Sequence, residues 1–159
     1  RELALEGRFY EEKEAMQHGC TTIYQHSVHV AYVSLFLMEK WQIPLDEVSL
    51  VKGALLHDYF LYDWHESDAS HRLHGFRHPG TALKNATRDY ALNQREKNTI
   101  ARHMFPLTPI PPQCREAWLV CLADKWCAME ETLRPAYRSR TNMLALPSRR
   151  LPKVPVQKQ

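Results

Sequence analysis

Nine histidines stand in this 159-residue chain, and six of them (His57, His65, His71, His74, His78 and His103) fall in the 47 residues from His57 to His103. Imidazole titrates near neutral pH and is the commonest metal ligand, so the chemistry is to be sought here. Five segments place ligand-grade side chains at helix ends or on apolar faces. His26 lies in YQHSVHVA, the adjacent His57 and Asp58 in GALLHDYF, His78 just before Pro79, His103 at the end of IARHM, and Asp124 inside LVCLADKWCAM. A carboxylate within such an apolar face is costly to bury unless it is paired or bound to a cation. One cation shared by Asp124, Asp58 and several imidazoles would offset that cost at all these positions together. Each piece alone has an ordinary use. A buried His commonly bonds a carbonyl, Asp124 can pair with Lys125 or Arg102, and His-Asp adjacency arises by chance. The conjunction carries the argument: a His, a His-Asp doublet about thirty residues on, two spaced His, then a buried Asp.

The elements that must position these groups read as helices. Residues 8–17 suggest a short polar helix. From Thr21 or Thr22, apolar residues at Ile23, Val30, Val33, Phe36 and Leu37 recur at helical spacing until Pro44 intervenes. Asp46 can cap a second helix, with Val48, Val51, Ala54 and Leu55 as its apolar stripe. Residues 59–77 are rich in aromatics, His, Asp and Ser without a period, which predicts a long loop with at most one helical turn. Pro79 suits the first turn of a helix through TALKNATRDYA. NQREKNTIARHM follows and stops before Pro106, PLTPIPPQ is an extended loop, and CREAWLVCLADKWCAMEETL makes a long last helix. The fold class is all-α, a bundle of about six helices.

Composition excludes several classes. Apolar residues at 44% and charged residues at 25% are ordinary for a globular domain. The length suits one domain able to bury its own core. No apolar run approaches the roughly 18 residues needed to span a bilayer. The N-terminal RELALEGRFYEEKEAM is too charged for a secretory leader. Four cysteines form no CxxC pair, and three (Cys114, Cys121, Cys127) lie in one apolar stretch, which predicts buried free thiols in a reducing, cytoplasmic setting. Charge is uneven: residues 1–133 hold all 18 acids against 14 bases, a balance of −4, whereas residues 134–159 hold seven bases and no acid. That tail also carries four of the ten prolines. A basic, Pro-rich tail can touch nucleic acid, an acidic membrane or an acidic partner, but a solvated extension that wraps its own domain is the favoured reading. The chain divides into a body, 1–133, and an appendage, 134–159.

The H…HD…D order in helical context resembles the HD superfamily of metal-dependent phosphohydrolases, over roughly residues 20–130. The resemblance implies an HD-type helical bundle in which His26, His57, Asp58 and Asp124 bind a divalent metal. HPGTALKNA, with His78, and ARHMFP, with His103, resemble the further ligand segments of members that hold two metals. Six ligands suit two ions with Asp58 bridging, and the histidine-rich mixture points to Fe, Mn, Zn, Ni or Co. Many two-metal relatives carry HDIGK, whereas HDYFLYDW places Leu61 where that lysine would stand. His65, His71, His74, Arg77 or Arg102 would have to supply the positive group, with Arg77 and Arg102 the catalytic candidates beside Asp58. The GYP motif of cyclic-dinucleotide phosphodiesterases and the ED doublet of guanosine-tetraphosphate hydrolases are absent, so neither activity carries over.

The implied substrate is a nucleotide or other small phosphoester, with Tyr59, Tyr62, Trp64 and Phe76 as candidates to stack on a base, although aromatics near a helix end more often serve the core. Two alternatives share the ligand set. One is an HD-type mixed-valent di-iron oxygenase acting on a small polyol or phosphonate. The other is a non-catalytic nucleotide-sensing module that uses the basic tail.

Overall fold

The structure is a computed structural model of the chain, and it describes residues 16–18, 21–60 and 74–133. A short antiparallel pair, β1 (Met16–His18) and β2 (Thr21–Thr22), leads into five helices. These are α1 (Ile23–Lys40), α2 (Glu47–Leu56), α3 (His74–Asp89), α4 (Gln94–Arg102) and α5 (Arg115–Leu133). The all-α class holds. The expected helix over residues 8–17 is corrected at its end, because Met16–His18 is strand paired to Thr21–Thr22. Residues 1–15, 19–20, 61–73 and 134–159 lie outside the described residues, and with them Cys20, most of the expected loop over 59–77 and the whole basic tail.

Local signals explain the helix boundaries. Thr22 caps α1 by accepting from the Gln25 N–H while the Gln25 side chain accepts from the Thr22 N–H, a reciprocal pair that satisfies two otherwise orphan donors. The buried face, Ile23, His26, Ser27, Val30, Ala31 and Ser34, follows the 3–4 spacing of one helical side. At its end Gln42 turns left-handed, φ 51°, and the Ile43 N–H reaches back to the Met38 carbonyl, which closes the last turn before Pro44. Asp46 caps α2 through the Ser49 N–H and hydroxyl, and Asn93 caps α4 with Glu96 returning the bond. Asn93 also donates to Ser49 Oγ at 2.7 Å, which ties the starts of α2 and α4 together.

The start of α3 differs from expectation. The helix begins at His74, so Pro79 lies in its second turn and His78 inside it, not ahead of it. A proline there forgoes one backbone bond, and composition alone favours the later start.

Two apolar clusters flank the interior. Val30, Ala31, Leu50, Ala54, Leu119, Val120, Ala123 and Cys127 join α1, α2 and α5. Leu56, Tyr59, Ala82, Ala86, Tyr90 and Ile100 join the end of α2 to α3 and α4. Between these clusters lies a band of buried polar side chains.

Candidate metal centre

Each helix contributes to that band. His26 comes from the first turns of α1, His57 caps the C-terminus of α2, Asp58 follows it, His78 comes from α3, His103 caps α4, and Asp124 lies mid-way along α5. All six are buried. Removing this much polarity from water is tolerated only if every group meets a partner of opposite demand.

The hydrogen bonds determine which ring nitrogens face inward. His57 donates from Nδ1 to the Ala54 carbonyl at 2.7 Å, and His103 from Nδ1 to the Ile100 carbonyl at 2.9 Å. A carbonyl can only accept, so in the neutral rings the proton sits on Nδ1 and Nε2 presents a lone pair. His57 Nε2 is buried without a hydrogen bond, 3.4 Å from Asp58 Oδ2 and 3.7 Å from Asp124 Oδ1. His78 Nε2 and His103 Nε2 lie 2.8 Å apart, and both face Asp58 Oδ1 at 3.2 and 3.3 Å. His26 Nε2 meets Asp124 Oδ1 at 3.1 Å.

Asp58 stands at the junction. His26, His57 and Asp58 form one trio that could hold a metal ion, and Asp58, His78 and His103 form another, with ligand atoms in each within 4.8 Å of one another. Asp124 joins the first trio through the oxygen that faces both His26 and His57.

Charge follows the same pattern. Burial pushes the Asp58 carboxyl up, but the neighbouring rings of His57, His103 and His78 hold it well below the usual carboxylate range. Burial likewise opposes ionisation of Asp124, and the hydrogen bond from His26 with the nearby His57 ring holds it down. His26 should be depressed by burial, yet its bonds to Asp124 and Glu131 raise it to about 10. With Asp58 and Asp124 both held ionised, the centre is a region of negative potential, and the same field attracts a metal cation. Inward lone pairs, two carboxylates and outer nitrogens anchored on carbonyl or carboxylate oxygens are the donor set a first-row transition metal takes. The residues present fit such ions.

Several neighbours were not signalled by motif. Glu131 accepts from His26 Nδ1 at 2.9 Å and from His29 Nδ1 at 3.3 Å. Lys125 donates to the His103 carbonyl at 2.7 Å, at the end of α4. Asn85 donates to the carbonyls of Tyr59 and Phe60 at 3.3 and 3.1 Å and steadies the chain just after the His-Asp doublet. Glu131 lies seven residues beyond Asp124 and His29 three beyond His26. Helical spacing could have pointed to them once both helices were read.

Other candidates fall differently. Arg77 is exposed and Arg102 half-buried, with its Nε enclosed and lacking a hydrogen-bond partner. Tyr59 cannot stack on a base: it is fully buried, packs edge-on against Tyr90 and donates to Asp89 at 3.0 Å. Phe76 is exposed. Leu61, Tyr62, Trp64, His65 and His71 lie outside the described residues, as does the side chain of His74. Cys121 and Cys127 are buried free thiols, but Cys114 is only half-buried.

A helical bundle whose helices each bring a His or Asp to one buried centre, with an adjacent His-Asp pair in the middle, is the architecture of the HD domain. The family model described as HD domain matches residues 23–129, more than half of the chain, and the chain belongs to that family. The family is one of metal-dependent phosphohydrolase type, and the His/Asp groups here could hold metal. No curated protein and no solved structure matches the chain.

Proposed function

We infer that the chain is a metal-dependent phosphohydrolase acting on a nucleotide or other small phosphoester through a binuclear centre. One observation carries the reading: two ligand trios share a single carboxylate, Asp58. His26, His57 and Asp124 would hold one ion and His78 and His103 the other, with Asp58 common to both. Ions bound there supply Lewis acidity, which lowers the pKa of water and stabilises charge on phosphoryl oxygens. The chain's own contribution is to fix the imidazoles. Carbonyls of Ala54 and Ile100 hold the rings of His57 and His103 with Nε2 inward. Arg77 and Arg102 are the cations proposed to neutralise charge that develops on the substrate. Residues 134–159 are assigned as an extension outside the domain, consistent with a family match that ends at residue 129.

The test is metal analysis of protein purified without added metal, followed by a phosphoester panel with manganese, iron, nickel and cobalt. Two ions per chain and metal-dependent phosphate release are expected. His78→Ala or His103→Ala should lower the content from two ions to one while the fold persists. If both variants keep the wild-type content and activity, the second ion site does not exist. Two irons with a mixed-valent paramagnetic signal, and no phosphate release, would place the chain with the HD-type oxygenases. Nucleotide binding without turnover would mark a sensor.

A further inference from the structure

We propose that Glu131 is a positioning residue for the metal centre: from the far end of α5 it holds the ring of His26 so that Nε2 faces inward. The inference rests on the binuclear reading above but adds a residue beyond the stretch that matches the family, which ends at residue 129. Three observations support it. The Glu131 side chain is 5% exposed, and a carboxylate so enclosed needs a dedicated partner. Its Oε2 lies 2.9 Å from His26 Nδ1 on the ring edge opposite Asp124, so the three groups form a line of carboxylate, imidazole and carboxylate. Its second oxygen accepts from His29 Nδ1 at 3.3 Å, which keeps the carboxyl group from turning away from His26.

The chemistry follows from acceptor and donor counts. An ionised carboxylate can only accept, so once Nε2 is given over to a metal ion the one remaining His26 proton sits on Nδ1, where Glu131 holds it. His57 and His103 achieve the same with backbone carbonyls. His26 sits in the opening turns of its helix and uses a side-chain carboxylate instead. A carboxylate behind a ligating imidazole also raises its basicity, and loss of such a partner commonly costs about 10–100-fold in metal affinity. His29 acts through Glu131, whose second oxygen it holds.

The experiment uses the full chain and Zn2+ as the probe. Glu131→Met fills the same volume without an acceptor, and Glu131→Gln keeps an amide oxygen able to accept the His26 N–H. Zn2+ affinity is measured by competition with a chelator, and the His26 tautomer by nitrogen-resolved NMR of the Zn2+-loaded protein. Glu131→Met should weaken one of two ions about 10–100-fold and leave the other unchanged. Glu131→Gln should recover most of that loss, and wild-type His26 should show a hydrogen-bonded Nδ1–H. Affinities within twofold of wild type in a folded Glu131→Met protein overturn the proposal. So does a loss shared equally by both ions, which would mark Glu131 as a clamp between α1 and α5 alone. If Glu131→Met does not fold, absence of the Nδ1–H signal in wild type overturns the proposal, and its presence with near-normal binding in Glu131→Gln supports it. Failure of wild type to bind Zn2+ removes the metal-centre reading itself, an outcome distinct from an unchanged variant.

Discussion

At the scale of single residues, the centre is a balance between carboxylates that burial would neutralise and imidazoles that keep them ionised. That balance makes stability depend on pH in the metal-free protein. The folded pKa of His26 is raised from 6.5 to about 10, so its contribution is complete below pH 6.5 and lost as pH rises through about 10. Glu131 runs the other way. Burial pushes it up, but hydrogen bonds from His26 and His29 lower it from 4.5 to about 2, so its contribution is present above pH 4.5 and lost as pH falls through about 2. Chelator-treated protein should therefore melt highest between about pH 4.5 and 6.5, as far as these two groups decide it. Its melting temperature should fall as pH climbs from 6.5 toward 10, and His26→Gln should flatten that limb. An equally steep limb in His26→Gln would show that another group is responsible.

At the scale of elements, the approach of α2 to α4 determines how close two of the ligands come. Gly53 sits opposite Thr99, and a Cβ there would stand 3.0 Å from both Thr99 Cβ and Cγ2. One turn later on the same two faces are His57 and His103, whose ring centroids are 4.9 Å apart. The absent side chain at Gly53 thus lets the two helices bring those imidazoles together. Gly53→Ala should cost about 1–3 kcal/mol, since overpacking outweighs the gain in helix propensity. It should also weaken metal binding, because the helices splay next to the ligands. Chemical denaturation and Zn2+ titration of the same variant test both effects, and an unchanged or raised stability would show that Thr99 yields without moving α4.

At the scale of the whole molecule, no described helix is long and apolar enough to cross a membrane. The basic tail is proposed as accessory, so removal of residues 135–159 should leave the melting temperature within about 2 °C and the metal content unchanged. Calorimetry and metal analysis of the truncated chain decide this. A large fall would point to the apolar stripe that α5 exposes, Trp118, Leu122, Trp126, Met129 and Leu133, as a surface the tail's Leu144, Leu146 and Leu151 cover.

Helix after helix was legible in the chain because capping and periodicity are local: Thr22, Asp46 and Asn93 announce helix starts, and Ile23 to Ser34 keeps one buried side. The His-Asp doublet and its flanking ligands were legible for a related reason, since polar residues on apolar faces stand out against a periodic background. What lay beyond the sequence was non-local. The start of α3 at His74 ignores the usual preference of proline for a first turn, and Met16–His18 pairs as a strand with Thr21–Thr22. That Tyr59 serves the core was the more common use of an aromatic at a helix end, but its partners there, Tyr90 and Asp89, stand some thirty residues away in sequence. Glu131 meets His26 across 105 positions, a pairing no spacing rule reaches until α1 and α5 are packed side by side. Composition and periodicity determined that there would be helices and which residues could ligate. Only tertiary packing decided which ring nitrogens turn inward, because that depends on acceptors supplied by other turns and other helices.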